Sequence, residues 1–189
     1  IRESVHVGIE ALTAVTDMTE IENAPTVKKA NEELHSVGLG AMNLHGFLAK
    51  NGISYESAEA KDFANTFFMM VNFYSIEKSM LIAKETGNTF KDFEKSEYAK
   101  GTYFEKYTSK SFEPKTDKVK ELFNGIYIPN EFDWVTLSKQ VQAYGLYNSY
   151  RLAIAPTQSI SYIQNATSSV MPIVNVIESR TYANSTTYY

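Results

Sequence analysis

Cysteine is absent from this 189-residue chain, which removes disulfides, Cys-ligated zinc, iron–sulfur clusters and thiol catalysis from its own repertoire. Histidine is nearly as scarce. His6, His35 and His45 share no ligand spacing, so a structural role is expected of each rather than metal binding. Positive charge is not in excess: 18 Lys and Arg against 22 Asp and Glu leave a net charge of −4, which excludes a polybasic nucleic-acid binder. No apolar run approaches the roughly 20 residues of a membrane helix, so no membrane is expected as a partner. No basic-then-apolar leader opens the sequence. A cytoplasmic location is therefore expected, with the sequons at Asn165 and Asn184 as chance matches.

Apolar material is ample. Hydrophobic residues make up 43% of the chain, including eleven Phe, thirteen Tyr and one Trp. That supports one globular domain and excludes overall disorder. The sequence starts at Ile1 and stops at Tyr188-Tyr189 without a tapering tail, as expected of a piece of a larger chain.

Val5, Ile9, Leu12 and Val15 recur at intervals of three and four, predicting an amphipathic helix over 3–18. Pro25 breaks the pattern and can open a short polar helix through His35. The Gly-punctuated stretch Ser36–Met42 reads as a buried strand or a close backbone approach. Asn43–Ala49 returns to helical spacing and Asn51-Gly52 stops it. Residues 56–86 carry apolar side chains nearly all round, predicting a buried helix capped by Ser57. Residues 88–116 read as surface turns with one short helix. A helical turn or two is predicted at Lys118–Phe123 and a helix at Asp133–Tyr144, stopped by Gly145, then a strand at Ser149–Ala155, a turn at Thr157–Ser161, a short helix at Tyr162–Asn165 and an apolar stretch at Pro172–Ile177. There is no internal repeat or clear linker.

Few residues point to chemistry. Gly38-x-Gly40-x-x-Asn43 lacks the third glycine and the acidic partner of a dinucleotide fingerprint, so tight backbone packing is expected of it. Glu56, Glu59 and Asp62 read as a solvated face near a helix N-terminus. Tyr188-Tyr189 is given no radical or stacking role, since Tyr is abundant. Pro156-Thr157-Gln158-Ser159-Ile160-Ser161 stands out. A Pro-led turn into a helix start aligns free backbone N–H groups, and three hydroxyls add donors. The same residues also suit plain helix capping, which the composition favours.

The run Leu152–Ser169, LAIAPTQSISYIQNATSS, resembles the large (alpha) subunit of ribonucleotide reductase, and most closely its class Ib branch. Val37–Ala49, VGLGAMNLHGFLA, is similar to a second signature of that family, and Tyr144–Asn148 supports both. The likeness runs in order from about Ile1 to Thr181. It implies an α/β fold, part of a ten-stranded α/β barrel, helix-rich in this piece, with residues 1–189 forming a partial catalytic barrel domain without the N-terminal regulatory segment.

The resemblance also implies an oxidoreductase that converts ribonucleoside diphosphates to deoxyribonucleoside diphosphates by thiyl-radical chemistry. The catalytic thiols would lie outside this sequence, so no catalytic residue is assigned here and the piece alone is expected to be inactive. The phosphate-binding turn of the family falls on Thr157, Gln158, Ser159, Ile160 and Ser161, which shifts the reading of that stretch from capping to substrate phosphate. No cofactor or metal is expected in this chain. A dimetal centre with a tyrosyl radical would sit in a partner beta subunit, and nucleotide effectors would bind elsewhere in the alpha subunit. The implied partners are the rest of the alpha subunit, the beta subunit, the ribonucleoside diphosphate substrate, a thiol reductant protein and a second alpha subunit. The alternatives are a non-catalytic structural or interaction relic of such a reductase and, more remotely, a stand-alone nucleotide-binding module.

Overall fold

The computed structural model describes residues 1–177, 179–182 and 185–188. Its chain divides into two compact units. One comprises Ile1–Leu39 and Asp62–Ala153; the other comprises Gly40–Lys61 and the described residues of Ile154–Tyr189.

The first unit is built from helices. α1 (Arg2–Met18) buries Val5, Ile9 and Thr13, an i, i+4 stripe that leaves Leu12 half-buried and Val15 exposed. The predicted Leu12–Val15 end of the apolar face therefore gives way to a hydroxyl, which accepts a hydrogen bond from Asn148 Nδ2 at 3.0 Å. α2 (Pro25–Leu34) starts on Pro25, whose fixed φ suits a first helical position. α4 (Ala58–Thr86) is the long helix that the all-round apolar pattern predicts. From Asp62 on it belongs to this unit, and it buries Phe63, Met70, Phe73, Tyr74 and Ile76 on several faces.

Asp62 corrects the reading of a solvated acidic face. It is buried and accepts from the Lys115 and Thr116 amides, both at 2.8 Å, and from Thr116 Oγ1 at 2.9 Å. A carboxylate can be buried there because three donors replace its water.

Residues 88–116 fold into two 3-10 turns (Phe93–Lys95 and Thr102–Phe104) with α5 (Glu97–Lys100) and α6 (Glu105–Thr108). They are less superficial than predicted. Phe90, Phe93 and Phe104 are buried, and Tyr107 stacks on Trp134 with ring centres 4.0 Å apart. α7 (Asp117–Leu122) buries Val119. α8 (Glu131–Tyr144) begins earlier than its apolar pattern, because Asn130 and Asp133 form a reciprocal capping box. It contributes Trp134, Leu137 and Val141 to the core.

The strand predicted at Ser149–Ala155, and the strand alternative at Ser36–Met42, reduce to one isolated parallel bridge, Leu39 with Leu152. The Val37 and Leu39 amides donate to Tyr150 O and Arg151 O, and the Ala153 amide donates to Leu39 O. A Cβ at Gly38 would lie 2.9 Å from Ala153 Cβ, so the glycine serves the close backbone approach that was predicted. Tyr147 stacks on His35 and donates to Asp17 at 2.8 Å; burial, then that carboxylate, pushes its phenol up to about 12.

In the second unit, α3 (Leu44–Lys50) ends at Asn51, with Gly52 rather than Asn51 taking the left-handed conformation. Ser57 Oγ accepts from the Ala60 amide at 3.1 Å, as the predicted cap of α4. α9 (Gln158–Ile163) occupies the predicted turn and most of the predicted short helix. Residues 158–161 of the predicted turn are therefore helical, and the helix ends at Ile163, short of the predicted Asn165. Pro172–Ile177 forms no strand, and Val174 and Val176 stand 85% and 92% exposed. β1 (Ser179–Tyr182) pairs antiparallel with β2 (Ser185–Tyr188), a hairpin that apolar alternation did not announce. Asn184 of the second sequon and Tyr189 of the terminal pair lie outside the described residues.

Among the described residues the structure is thus helix-rich, with one bridge and one hairpin, and no barrel closes. No described helix is long and apolar enough to cross a membrane.

Candidate functional site

The Pro156–Ser161 stretch folds as a sharp bend into α9. Thr157 takes a left-handed conformation, φ 56° and ψ −6°, and the Gln158 amide folds back onto Pro156 O at 2.8 Å. The first helical hydrogen bond runs from the Ser161 amide to Thr157 O at 3.0 Å. The Ser159 and Ile160 amides lie in the first turn, ahead of any intrahelical acceptor. Neither has a partner among the described residues, and both residues are exposed.

A Thr at the N-cap would ordinarily accept from those amides. Here it does not: Thr157 Oγ1 accepts from the Ser169 amide at 2.8 Å instead. The bend therefore presents two uncapped N–H groups, the Ser159 hydroxyl and the exposed Gln158 side chain. Aligned first-turn amides carry partial positive charge, so this group is fit to receive an oxyanion.

Ser161 differs from the rest of the predicted set. It is fully buried, its hydroxyl donates to Gln158 O at 2.6 Å, and Ser168 Oγ lies 2.9 Å away. With its one proton spent on Gln158, Ser161 accepts from Ser168. The structure thus brings Thr157, Gln158, Ser159, Ile160 and Ser161 onto one bend, but leaves free donors only in its middle.

The supporting residues were not singled out by the sequence. Residues 166–169 hold the bend through Ala166 N to Ser161 O at 2.8 Å, Ser168 to Ser161 and Ser169 to Thr157. They are in turn held by α3: the Asn43 amide donates to Thr167 O at 2.9 Å, Asn43 Oδ1 accepts from the Thr167 amide at 3.0 Å, and the Gly46 amide donates to Thr167 Oγ1 at 3.2 Å. The one available signal was Asn43 itself, since Asn tolerates φ > 0 and is favoured at helix starts.

Further along, Tyr55 OH donates to Val170 O at 2.6 Å and His45 Nδ1 accepts from the Ile173 amide at 2.8 Å. A cleft of about 780 Å³ opens beside these residues, lined by Asn43, Lys50, Asn165, Thr167 and Asn175 among others; no residue of Thr157–Ser161 lines it. His6 meets Glu77, His35 meets Asp17 and His45 meets the Ile173 amide, so each imidazole has a protein partner.

The family model described as "Ribonucleotide reductase, barrel domain" matches residues 1–189. The chain is 58% identical to the ribonucleoside-diphosphate reductase subunit alpha of Bacillus subtilis over 189 residues, which is 100% of this chain and 27% of the relative. It is 58% identical to the nrdEB subunit alpha of Bacillus phage SPbeta, covering 17% of that protein, and 46% identical over 183 residues to the alpha subunit of Mycoplasma genitalium, covering 94% of this chain and 25% of the relative. The chain therefore spans about a quarter of the length of the relatives it matches, or less.

Proposed function

Because the chain belongs to the ribonucleotide reductase barrel-domain family, we propose that it supplies barrel scaffold and the substrate-diphosphate bend to a ribonucleoside-diphosphate reductase alpha subunit of class Ib. The observation that carries the substrate role is the pair of uncapped amides, Ser159 and Ile160, at the start of α9. A diphosphate offers several oxygens to such donors, and hydrogen bonds to a charged acceptor are about twice as strong as neutral ones. Main-chain donors impose no side-chain requirement, so Gln158 and Ile160 can occupy the middle of the bend without loss of binding capacity. Thr157 and Ser161 then shape the bend, Thr157 by its left-handed backbone and Ser161 by its inward hydroxyl.

The scaffold role accounts for the second unit's open apolar side chains. Ile154, Ile163, Val174 and Val176 are each more than three-quarters exposed, and barrel neighbours from the rest of the alpha subunit would cover them. In the working enzyme the radical would come from a dimetal tyrosyl-radical beta subunit and electrons from a thiol reductant protein. Effectors would bind elsewhere in a cytoplasmic alpha homodimer. This chain's own part is to hold and orient the diphosphate, while the reacting thiols come from other polypeptide.

Ser159→Pro in the complete alpha subunit, assayed with its beta subunit, tests the reading. It deletes one N–H, and KM for the ribonucleoside diphosphate should rise about tenfold or more, the scale of a lost bond to a charged group. Ser159→Ala, which keeps the amide, should change KM far less. Equal and unchanged KM values in both variants would refute the diphosphate assignment.

A further inference from the structure

We infer that Asn43 is a positioning residue for the diphosphate bend, acting through Thr167 to keep the α9 amides uncapped. The inference rests on the bend being the diphosphate site. Two helices in this unit begin the same unusual way. Asn43 at the N-cap of α3 and Thr157 at the N-cap of α9 both adopt φ > 0, and neither side chain caps its own helix. Both are turned onto the same short segment. Asn43 Oδ1 takes the Thr167 amide, and Thr157 Oγ1 takes the Ser169 amide.

Thr167 returns the cap that Asn43 withholds: its hydroxyl accepts from the Gly46 amide, in the first turn of α3. The Asn43 amide also donates to Thr167 O, so the pairing is reciprocal. A Cβ at residue 46 would run into Asn43 Oδ1, which ties the glycine to this arrangement. Among the described residues no equivalent return is made to α9. Its Thr157 hydroxyl is occupied by the Ser169 amide, and Ser159 and Ile160 keep their donors.

The consequence is mechanical. While Asn43 pins Thr167, Ser169 holds the Thr157 hydroxyl away from α9. Once that pin is lost, residues 167–169 relax, and Thr157, no longer tied to the Ser169 amide, can leave its left-handed conformation for the extended one of an ordinary N-cap and turn Oγ1 onto α9. An internal oxygen then competes with the substrate's phosphate oxygens for the same two amides. Asn43 touches no substrate in this arrangement, so its effect is on affinity.

The test compares variants of the complete alpha subunit assayed with its beta subunit. Asn43→Gly keeps the left-handed backbone and removes the acceptor; KM for ribonucleoside diphosphate should rise about fivefold, with kcat within about twofold. Asn43→Asp, which keeps an acceptor and tolerates φ > 0, should restore most of the affinity. Thr167→Val keeps shape but removes the α3 cap and should move KM in the same direction, so the test survives if Asn43→Gly does not fold. An Asn43→Gly enzyme with lowered melting temperature and unchanged KM would overturn the inference, because a merely structural residue behaves so. If Ser159→Pro raises KM while Asn43→Gly and Thr167→Val do not, the positioning role fails and the diphosphate bend stands. If none of the three raises KM, the bend itself is not the site, and the inference falls with it.

Discussion

Trp134, Phe104, Ile9, Met70 and Val141 in the first unit are all but sealed from solvent, and Trp134 packs against the rings of Phe104 and Tyr107. The second unit seals less apolar surface, chiefly Leu48, Ile53 and Ala60. Ser161 and Ser169 are buried, while Ile154, Ile163, Val174 and Val176 stand open. One region is held by area removed from water, a non-directional force that tolerates many shapes. The bend of the other is held by hydrogen bonds among Asn43, Gly46, Thr157, Ser161 and residues 167–169, which fix direction as well as distance. A bend that must aim two amides at a ligand is better served by the second kind of bonding, since a small error in angle weakens each bond.

The contrast can be broken most severely at Trp134. Trp134→Ala should cost about 3–5 kcal/mol in denaturant unfolding, the scale of a truncated core aromatic. In the second unit, Ile163→Ala should cost within about 0.5 kcal/mol in this chain, because the side chain is 81% exposed. Similar losses at both sites would erase the distinction.

A smaller effect is expected at Gly46. Gly46→Ala forces Asn43 Oδ1 aside and should cost about 1–3 kcal/mol. Unlike Trp134→Ala, it should also raise KM in the complete subunit; a change in melting temperature alone would mean that the polar network is only structural.

The smallest effect concerns pH, in the first unit. Burial pushes the His6 imidazole below its ordinary value of 6.5, partly offset by Glu77, whose carboxylate also receives Arg2. Above the ordinary value, the folded and unfolded chains are both neutral at this site. As pH falls from 6.5 through the depressed folded value, the unfolded chain takes the proton first and stability drops. His6→Gln should flatten the stability profile below pH 6.5, measured by denaturant midpoints; an unchanged slope would remove His6 as its source.

The helices were readable because their signals are local. The apolar ring of α4, Pro25 at the start of α2 and Gly145 after α8 each act within a few residues. What misled the reading was long-range. Asp62 looks solvated until Thr116 and Lys115 arrive with their donors. Ser36–Met42, apolar and Gly-punctuated, suits a strand or a close backbone approach, and Ser149–Ala155, with Tyr, Leu and Ile among small residues, suits a strand; a strand is completed only by its neighbours, and here the two segments share one bridge.

The site divided in the same way. The bend was legible as a hydroxyl-rich run after a proline, but Thr157 and Ser161 look like equal donors to Ser159 in one dimension. Only Ser168 and Ser169 decide that those two hydroxyls face inward. Asn43 was legible as part of a signature and illegible as a partner of Thr167, because 124 positions separate them.

The seam between residues 36–39 and 149–153 carries a consequence for the order of assembly. Ser36 and Ser149 share a 2.7 Å hydrogen bond across 113 positions of chain, so the seam can close only after a large loop has been drawn together, and that entropy is spent before the seam's few bonds give anything back. Helices α1, α2, α4 and α8 nucleate from neighbours and have no such delay. The Val37, Leu39 and Ala153 amides are therefore late reporters of folding, and their protection against deuterium marks the moment at which the helical body has closed upon itself.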